Sequence, residues 1–165
     1  VFLQNITGFM VGREYERRGI TKDGAKMIMA VSCSEVPKFT VMCNGSFGAG
    51  NYGMSGRSFD SRFLFGWPQS QISVMGAEQA ANTLADVKIR QLAKQGRLLS
   101  QDDINAIRDP VLGDFKRKQS AYWSTSEIWD DGILDPVDTR NALGMALSAA
   151  LNSPIAEPRY GVFRM

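Results

Sequence analysis

The sequence contains no histidine. Without this residue the chain cannot build a Ser-His-Asp or Cys-His catalytic triad of its own, bind a metal through imidazole, or use imidazole as an acid or base. Any chemistry must therefore come from backbone groups, carboxylates, Lys or Arg side chains, hydroxyls, or a group that a partner brings.

Cysteine is scarce as well. The two cysteines, Cys33 and Cys43, lie in apolar stretches, and their number and spacing fit neither a disulfide framework nor a CxxC zinc site. We expect two buried free thiols in a reducing compartment.

The chain also lacks an excess of charge of one sign and a long apolar run. Nineteen Lys and Arg residues against 17 Asp and Glu residues give a net charge of +2, which does not favour binding to nucleic acid or to an anionic membrane. No apolar run approaches the ~18 residues of a membrane span. A length of 165 residues, with 44% hydrophobic and 22% charged residues, predicts one globular domain.

Short apolar runs alternate with helical patterns, which predicts an α/β fold with a mainly parallel sheet. The first run begins at the first residue, which is not Met, so we expect a fragment whose fold is incomplete at the N-terminus. We also expect this first strand to be fully buried. The predicted strands are Val1–Leu3, Phe39–Met42, Phe63–Trp67, Ile72–Val74 and Ile133–Leu134.

Helical patterns connect the strands. Thr21 is a candidate cap for a largely buried helix that Pro37 ends. A later helix begins at Ala77 and carries small residues on one narrow face, which allows a neighbour to approach closely. The apolar residues of Asn141–Leu151 surround the helix axis, which favours a subunit interface on one side.

The segment from Asp86 to Gln119 is polar and helical in pattern. We interpret it as an insertion or an outer helical arm with breaks near Gly96 and Pro110, because both residues disfavour a helix interior.

The segment Gly48–Gly53 matches the GxGxxG dinucleotide fingerprint and lies between a predicted strand and a helix. The turn after Cys43 is longer than a dinucleotide turn, and no acidic residue ends a strand about 20 residues later. A dinucleotide-binding module therefore stays only as an alternative. Glycines at a helix start still let a ligand approach backbone N–H groups, which stabilise negative charge.

Two further clusters are ambiguous. The four aspartates between Asp130 and Asp138 lack the ligand spacing and closing Glu of an EF-hand, so we predict turns and helix caps, with no metal site. Gly76 and Ala77 form a second tight strand-to-helix turn, which serves either packing or the wall of the same pocket.

Several segments together resemble the beta subunits of methylcrotonoyl-CoA carboxylase, which are biotin-dependent acyl-CoA carboxyltransferases. The resemblance covers nearly the whole chain and is weakest in the arm. Tyr52 stands where propionyl-CoA and acetyl-CoA relatives usually carry Asp, which favours the methylcrotonoyl branch. The matching segments are Phe2–Glu16, Ser46–Met54, Ile72–Asn82, Trp129–Gly132, Asp135–Arg140 and Gly161–Met165.

This resemblance implies a crotonase-like α/β fold, a spiral of strand-strand-helix units. Residues 1–165 would form the C-terminal part of the carboxybiotin-side carboxyltransferase domain, with the helical arm at about 86–119. Because the acyl-CoA-binding half would lie elsewhere, we expect the fragment alone to be inactive.

The same resemblance implies transfer of a carboxyl group from carboxybiotin to 3-methylcrotonoyl-CoA, a step of leucine degradation, without a metal in this chain. The biotin ureido group would act as the base, and the backbone N–H groups of Ala49 and Gly50 would form an oxyanion hole for biotin. Tyr52 would shape the acyl pocket, and Gly76 with Ala77 would add a further wall. The residues implied in biotin binding are Gly8, Phe9, Phe47 and Gly48.

The implied partners are an alpha subunit that carries biotin and biotin carboxylase, and further beta subunits in dimers within a hexamer. Neither nucleic acid nor a membrane is expected as a partner. The location would be the mitochondrial matrix in a eukaryote and the cytoplasm in a bacterium. The alternative within this class is a carboxyltransferase for propionyl-, acetyl-, geranyl- or glutaconyl-CoA.

Overall fold

Four parallel strands and seven helices form the chain in the computed structural model, which describes residues 1–96 and 99–161. Of the predicted segment Gly161–Met165, only Gly161 lies within the described residues. The strands are β1 (Phe2–Ile6), β2 (Phe39–Phe47), β3 (Phe63–Gly66) and β4 (Gln71–Ser73). The helices are α1 (Arg13–Arg17), α2 (Ile20–Cys33), α3 (Ala49–Gly53), α4 (Ala77–Lys94), α5 (Gln101–Lys118), α6 (Ala121–Ser126) and α7 (Thr139–Ala150), with single 3-10 turns at Arg57–Phe59 and Pro136–Asp138.

Strand β2 is the centre of the sheet. It pairs with β1 along one edge, and along the other edge its first half pairs with β3 and its second half with β4, always in parallel. The four residues from Phe39 to Met42 are all buried, as expected for a parallel strand that is covered on both faces. The predicted parallel α/β fold is confirmed.

The prediction of a fully buried first strand is wrong. Strand β1 extends to Ile6, and the side chain of Leu3 is 59% exposed whereas that of Gln4 is buried. Among the described strands β1 pairs with β2 only. Since side chains alternate across a strand, only one face of β1 is covered.

The prediction of a largely buried helix after Thr21 is also wrong. Only Gly24 and Val31 of α2 are buried, because the helix packs on one side only. The helix begins at Ile20, after Gly19 in a left-handed conformation, and the Thr21 hydroxyl donates to Glu16 at 2.7 Å instead of capping.

Helices α4 and α5, called the arm below, cover the segment predicted at about 86–119, but α4 begins earlier, at Ala77. The small-residue face is confirmed for the four alanines, Ala77, Ala80, Ala81 and Ala85, which are buried, but not for Leu84, which was predicted on the same face and is 48% exposed. The break near Gly96 is confirmed by the end of α4, although Arg97 and Leu98 lie outside the described residues. The predicted break at Pro110 is wrong, because α5 continues through this exposed proline, where water can satisfy the freed carbonyl group.

Helix α7 covers one end of the sheet. Ala146 and Ala150 join Phe39 in the hydrophobic core, with Leu143 and Phe63 packed against it. The opposite side of α7 is open among the described residues, where Met145 and Leu151 are each 70% exposed.

Residues 131–134 follow the outer edge of β3. The Asp131 N–H donates to the Leu64 carbonyl at 2.7 Å, and the Leu64 N–H donates to the Asp131 carboxylate at 2.7 Å. Leu134 N–H donates to the Gly66 carbonyl at 2.8 Å. The strand predicted at Ile133–Leu134 is therefore reduced to one bridge between Gly66 and Ile133.

Two of the four aspartates, Asp130 and Asp135, serve a turn and a cap as predicted, whereas the Asp131 carboxylate binds the edge of β3 and Asp138 makes no capping hydrogen bond. The buried Asp130 carboxylate accepts hydrogen bonds from Ser124, Thr125 and the Gly132 N–H, and Asp135 caps the turn that begins with Pro136. No group of three or more His, Cys, Asp or Glu side chains suited to a metal ion occurs in residues 1–96 and 99–161.

Both cysteines are free, as predicted, but they are partly exposed rather than buried. Partial desolvation of the Cys43 thiol raises its pKa. Within the described part of the chain, no helix combines the length and the apolar character that a bilayer crossing needs.

Candidate functional site

A single glycine turns the chain from β2 into α3. Gly48 adopts φ 62° and ψ −152°, a conformation that L side chains rarely adopt. Its N–H donates to the Ser73 carbonyl at 3.0 Å, and a Cβ atom at this position would lie 3.3 Å from the Val74 carbonyl oxygen. The turn therefore needs glycine for both its conformation and its close contact with the end of β4.

This turn is tighter than the sequence suggested. The residues from Asn44 to Phe47, interpreted above as part of a long turn, continue strand β2. They continue as strand because Gly45, Ser46 and Phe47 pair with β4. One of the two arguments against a dinucleotide turn is therefore wrong, whereas the missing acidic residue still separates the segment from that fingerprint.

A loop after β1 approaches the turn from the other side. Gly8 has φ 109°, and a Cβ there would lie 3.4 Å from the Phe47 carbonyl oxygen. A Cβ on Gly50 would lie 3.3 Å from both the Gly8 Cα and the Ile6 Cδ1. The structure thus brings Gly8, Phe47, Gly48 and Gly50 together, with no room for side chains between the two segments.

Two backbone donors lie at this contact. Ala49 and Gly50 are the first residues of α3, and their N–H groups have no acceptor among the described residues. The next N–H, that of Asn51, already donates to the Gly48 carbonyl at 3.2 Å. Because free N–H groups at a helix start stabilise negative charge, this pair can donate to an anionic oxygen.

Phe9, which the resemblance implies in biotin binding, has a side chain that points away from the Ala49 and Gly50 N–H groups. Its ring lies against α2 and α3, 3.2 Å from a Cβ built on Gly24 and 3.5 Å from one built on Gly53. With Met10 and Ile20 it also lines an apolar cavity of about 390 Å³. Phe9 therefore anchors the Gly8 loop, while its side chain packs against the helices.

Tyr52 borders a second cleft. Its side chain is 45% exposed and meets Phe59 edge to face at 6.1 Å. The cleft, of about 580 Å³, lies beside the turn. Its apolar lining is formed by Tyr52, Ile72, Val74, Phe115 and Trp129.

The Gly76–Ala77 turn differs from the Gly48 turn, because Gly76 makes no close contact that would exclude a side chain. Gly76 precedes α4 and accepts from the Ala80 N–H at 2.9 Å, and a Cβ there would meet nothing within 4 Å. Ala77 is 5% exposed and begins the alanine face of the arm. These contacts account for packing, the first of the two functions considered for this turn.

A polar cluster of Gln4, Ser46 and Asn51 lies behind the turn, with Gln4 and Ser46 buried and Asn51 half-buried, and no sequence pattern indicated it. The Ser46 hydroxyl donates to Gln4 Oε1 at 2.6 Å and accepts from Asn51 Nδ2 at 2.7 Å. Gln4 Nε2 donates to the Met54 carbonyl at 2.8 Å. The available signal was Gln4, which directly follows the apolar run Val1–Leu3, where the predicted first strand ends.

The sequence profile described as "Carboxyl transferase domain" matches residues 1–162. A curated relative, the probable mitochondrial methylcrotonoyl-CoA carboxylase beta chain of Drosophila melanogaster, is 53% identical over 165 residues. The match covers all of this chain and 28% of the relative. The chain thus spans less than a third of the length of that relative.

Solved structures of a carboxylase subunit and a transcarboxylase subunit are also similar to the chain. The chain is similar to the beta subunit of geranyl-CoA carboxylase from P. aeruginosa, with a TM-score of 0.82 and 40% identity, over 99% of this chain and 31% of that one. It also resembles the transcarboxylase 12S subunit, described as a hexamer, with a TM-score of 0.79 and 28% identity, over 98% and 29% of the two chains. The expected crotonase-like fold is confirmed.

Proposed function

Because the chain belongs to the carboxyl transferase domain family, we propose that it forms the C-terminal part of a carboxyltransferase subunit and holds the site for carboxybiotin. This subunit transfers the carboxyl group to an acyl-CoA, in the first place 3-methylcrotonoyl-CoA. The observation that supports this proposal is the pair of N–H groups of Ala49 and Gly50, which have no acceptor in the described residues and lie at a glycine-lined contact.

The turn fits the ureido end of biotin. When bound, carboxybiotin would supply the carboxyl group; its departure would leave negative charge on the ureido oxygen, and the ureido group would take the proton from the acyl-CoA carbon that accepts the carboxyl group. Ala49 and Gly50 would donate their N–H groups to that oxygen, and Gly48 forms the turn that presents these two groups. The loop at Gly8 and the backbone of Phe47 form the opposite wall, and Phe9 holds this loop against α2.

The N–H groups of Ala49 and Gly50 should accelerate carboxyl transfer more than they strengthen the binding of carboxybiotin. Their attraction is stronger when the ureido oxygen carries negative charge than when the carboxyl group is still attached. One preorganised donor of this kind contributes about 2.7–4 kcal/mol in other enzymes. The chain can therefore support the reaction without histidine.

Tyr52 is the residue that would select the acyl group. Its ring borders the apolar cleft beside the turn, where a branched acyl chain would find hydrophobic contacts. Gly76 and Ala77 remain candidates for a wall of the same pocket. The related alternative is a different acyl-CoA, since the neighbouring solved structure is named for geranyl-CoA.

We propose the partners from the same relatives. Biotin is carried by an alpha subunit, and further beta subunits complete the assembly. The open side of α7, with Met145 and Leu151 exposed, supports contact with another copy. In a eukaryote the complex would work in the mitochondrial matrix, as the name of the fly relative indicates, and in a bacterium in the cytoplasm.

The experiment removes one N–H group. Ala49 is exposed and is the first residue of α3, where proline is accommodated because this N–H makes no helical bond. In the complete subunit, Ala49→Pro should lower transfer from carboxybiotin by roughly 10²–10³-fold. Gly50→Pro is a poorer test, because its ring would press on Gly8 and Ile6.

Ala49→Ser is the matched control, because it changes the same exposed side chain and keeps the N–H. It should retain turnover within about threefold, since surface substitutions have small effects. Transfer is measured at saturating acyl-CoA after circular dichroism has shown native folding. Normal turnover of a folded Ala49→Pro subunit would refute the oxyanion function of this N–H group.

A further inference from the structure

Helix α3 has no means of its own to hold its orientation. It is five residues long and has no side-chain cap at its N-terminus, and such a short helix is not stable by itself. The directions of the Ala49 and Gly50 N–H groups therefore depend on whatever fixes the rest of α3.

The polar cluster of Gln4, Ser46 and Asn51 supplies this attachment. Gln4 comes from β1 and Ser46 from β2, and both are 0% exposed, whereas Asn51 lies in the middle of α3. Gln4 Nε2 holds the Met54 carbonyl at the C-terminal end of the helix, with a longer contact of 3.4 Å to the Asn51 carbonyl. The cluster therefore ties both the centre and the end of α3 to the sheet.

Gly56 packs against the cluster from outside. A Cβ at Gly56 would overlap the Asn51 carboxamide and lie 2.8 Å from the Asn51 carbonyl oxygen. The Asn51 side chain thus fits between Ser46 and the backbone of Gly56, so that its position is fixed from two sides.

We propose that Gln4, Ser46 and Asn51 are positioning residues for the N–H groups of Ala49 and Gly50. This inference rests on the proposed function, because it concerns the same turn. None of the three side chains acts on the reacting atoms; they set the distance and angle at which the two donors meet the charged oxygen. A displacement of about 1 Å at a catalytic site costs on the order of 10²-fold in rate.

The test compares two buried serines. Ser46→Ala removes the hydroxyl that joins Gln4 to Asn51, and Ser124→Ala removes an equally buried hydroxyl that donates to Asp130 at 2.7 Å, away from the turn. In the complete subunit, Ser46→Ala should lower kcat by about 10- to 100-fold and leave the KM for acyl-CoA within about twofold. Ser124→Ala should lose similar thermal stability but keep kcat.

Hydrogen exchange gives a second measurement that does not depend on activity. The peptide 47–55 should exchange faster in Ser46→Ala and in Gln4→Met, but not in Ser124→Ala. An unchanged exchange rate of this peptide would overturn the proposal, and so would an equal loss of kcat in both serine variants. If the unmodified subunit transferred no carboxyl group, the proposed function would fail, and the exchange measurement alone would decide the positioning role.

Discussion

The turn at Gly48 and the arm of α4 and α5 are fixed by opposite means. Around the turn, glycines allow close backbone contacts, and Gln4 and Ser46 form directional hydrogen bonds with the Met54 carbonyl and with Asn51. In the arm, small alanines bury a non-directional face, and partly exposed ion pairs such as Arg108 with Glu78 join the helices. Exposed pairs of this kind contribute only about 0.2–1 kcal/mol each.

The difference teaches where precision is needed. Apolar burial is non-directional, because its free energy follows the apolar area removed from water. A hydrogen bond weakens steeply when its angle changes. A segment that presents two N–H groups to one atom therefore benefits from a polar cluster, whereas an arm that only has to stay attached does not.

The largest expected effect comes from adding one methyl group, through a glycine-to-alanine substitution, in each of the two regions. Gly48→Ala forces a side chain into a positive φ near the Val74 carbonyl, which should cost about 1–3 kcal/mol of stability and most of the carboxyl transfer. Gly113→Ala lies in α5, where a Cβ meets nothing within 4 Å, and should stabilise the subunit by about 0.5–1 kcal/mol. Urea unfolding and a transfer assay measure both. Equal stability changes of the same sign would remove the distinction between the regions.

An intermediate effect is expected across the cleft that both regions line. Tyr52 borders it from the turn side and Phe115 from the arm. Tyr52→Asp should change the ratio of kcat/KM between 3-methylcrotonoyl-CoA and propionyl-CoA by about 10-fold or more, because apolar pockets discriminate on this scale. Phe115→Ala tests whether the arm takes part in this selection.

Tyr52→Phe is the control, because it keeps the ring against Phe59 and should leave the ratio unchanged. Equal loss for both esters in Tyr52→Asp would assign the ring to packing alone. A shift in Phe115→Ala as large as that in Tyr52→Asp would show that the arm belongs functionally to the site.

The smallest effect concerns the start of α5 and depends on pH. The Ser100 hydroxyl and N–H donate to the Asp103 carboxylate and hold its pKa below the usual value. The carboxylate therefore stabilises the folded arm above the ordinary pKa of about 3.9 and loses this contribution as the pH falls through the lowered value. The difference in Tm between the unmodified subunit and Asp103→Asn should shrink from pH 6 to pH 2. A constant difference would contradict this linkage.

Local patterns predicted the sheet better than the site. The apolar run Phe39–Met42 and the alanine face after Ala77 are each visible in sequence, because burial on two faces or on one narrow face leaves a periodic signature. The exposure of Leu3 and the partial burial of α2 were missed, because burial depends on neighbours that the pattern does not specify. The predicted break at Pro110 was wrong for a similar reason, since the pattern does not show that the helix is exposed there and can continue through a proline.

The site was predicted in part. The glycines around Gly48 were visible, because few residues can adopt the conformations that close backbone contact requires. The cluster of Gln4, Ser46 and Asn51 was not, because its members come from three elements up to 47 positions apart. Polar residues at such distances show no periodicity, and they meet only because β1 pairs with β2 and the chain turns from β2 into α3.

The segment after α6 has a consequence for solubility during folding. A bare outer strand invites pairing with a strand of another molecule, which leads to aggregation. Along β3 this route is closed: Asp131 satisfies both backbone groups of Leu64, and Gly132 and Leu134 occupy those of Gly66. Until residues 131–134 have been synthesised and folded back, β3 stays open, so the risk of misassembly ends only when the last third of the chain arrives.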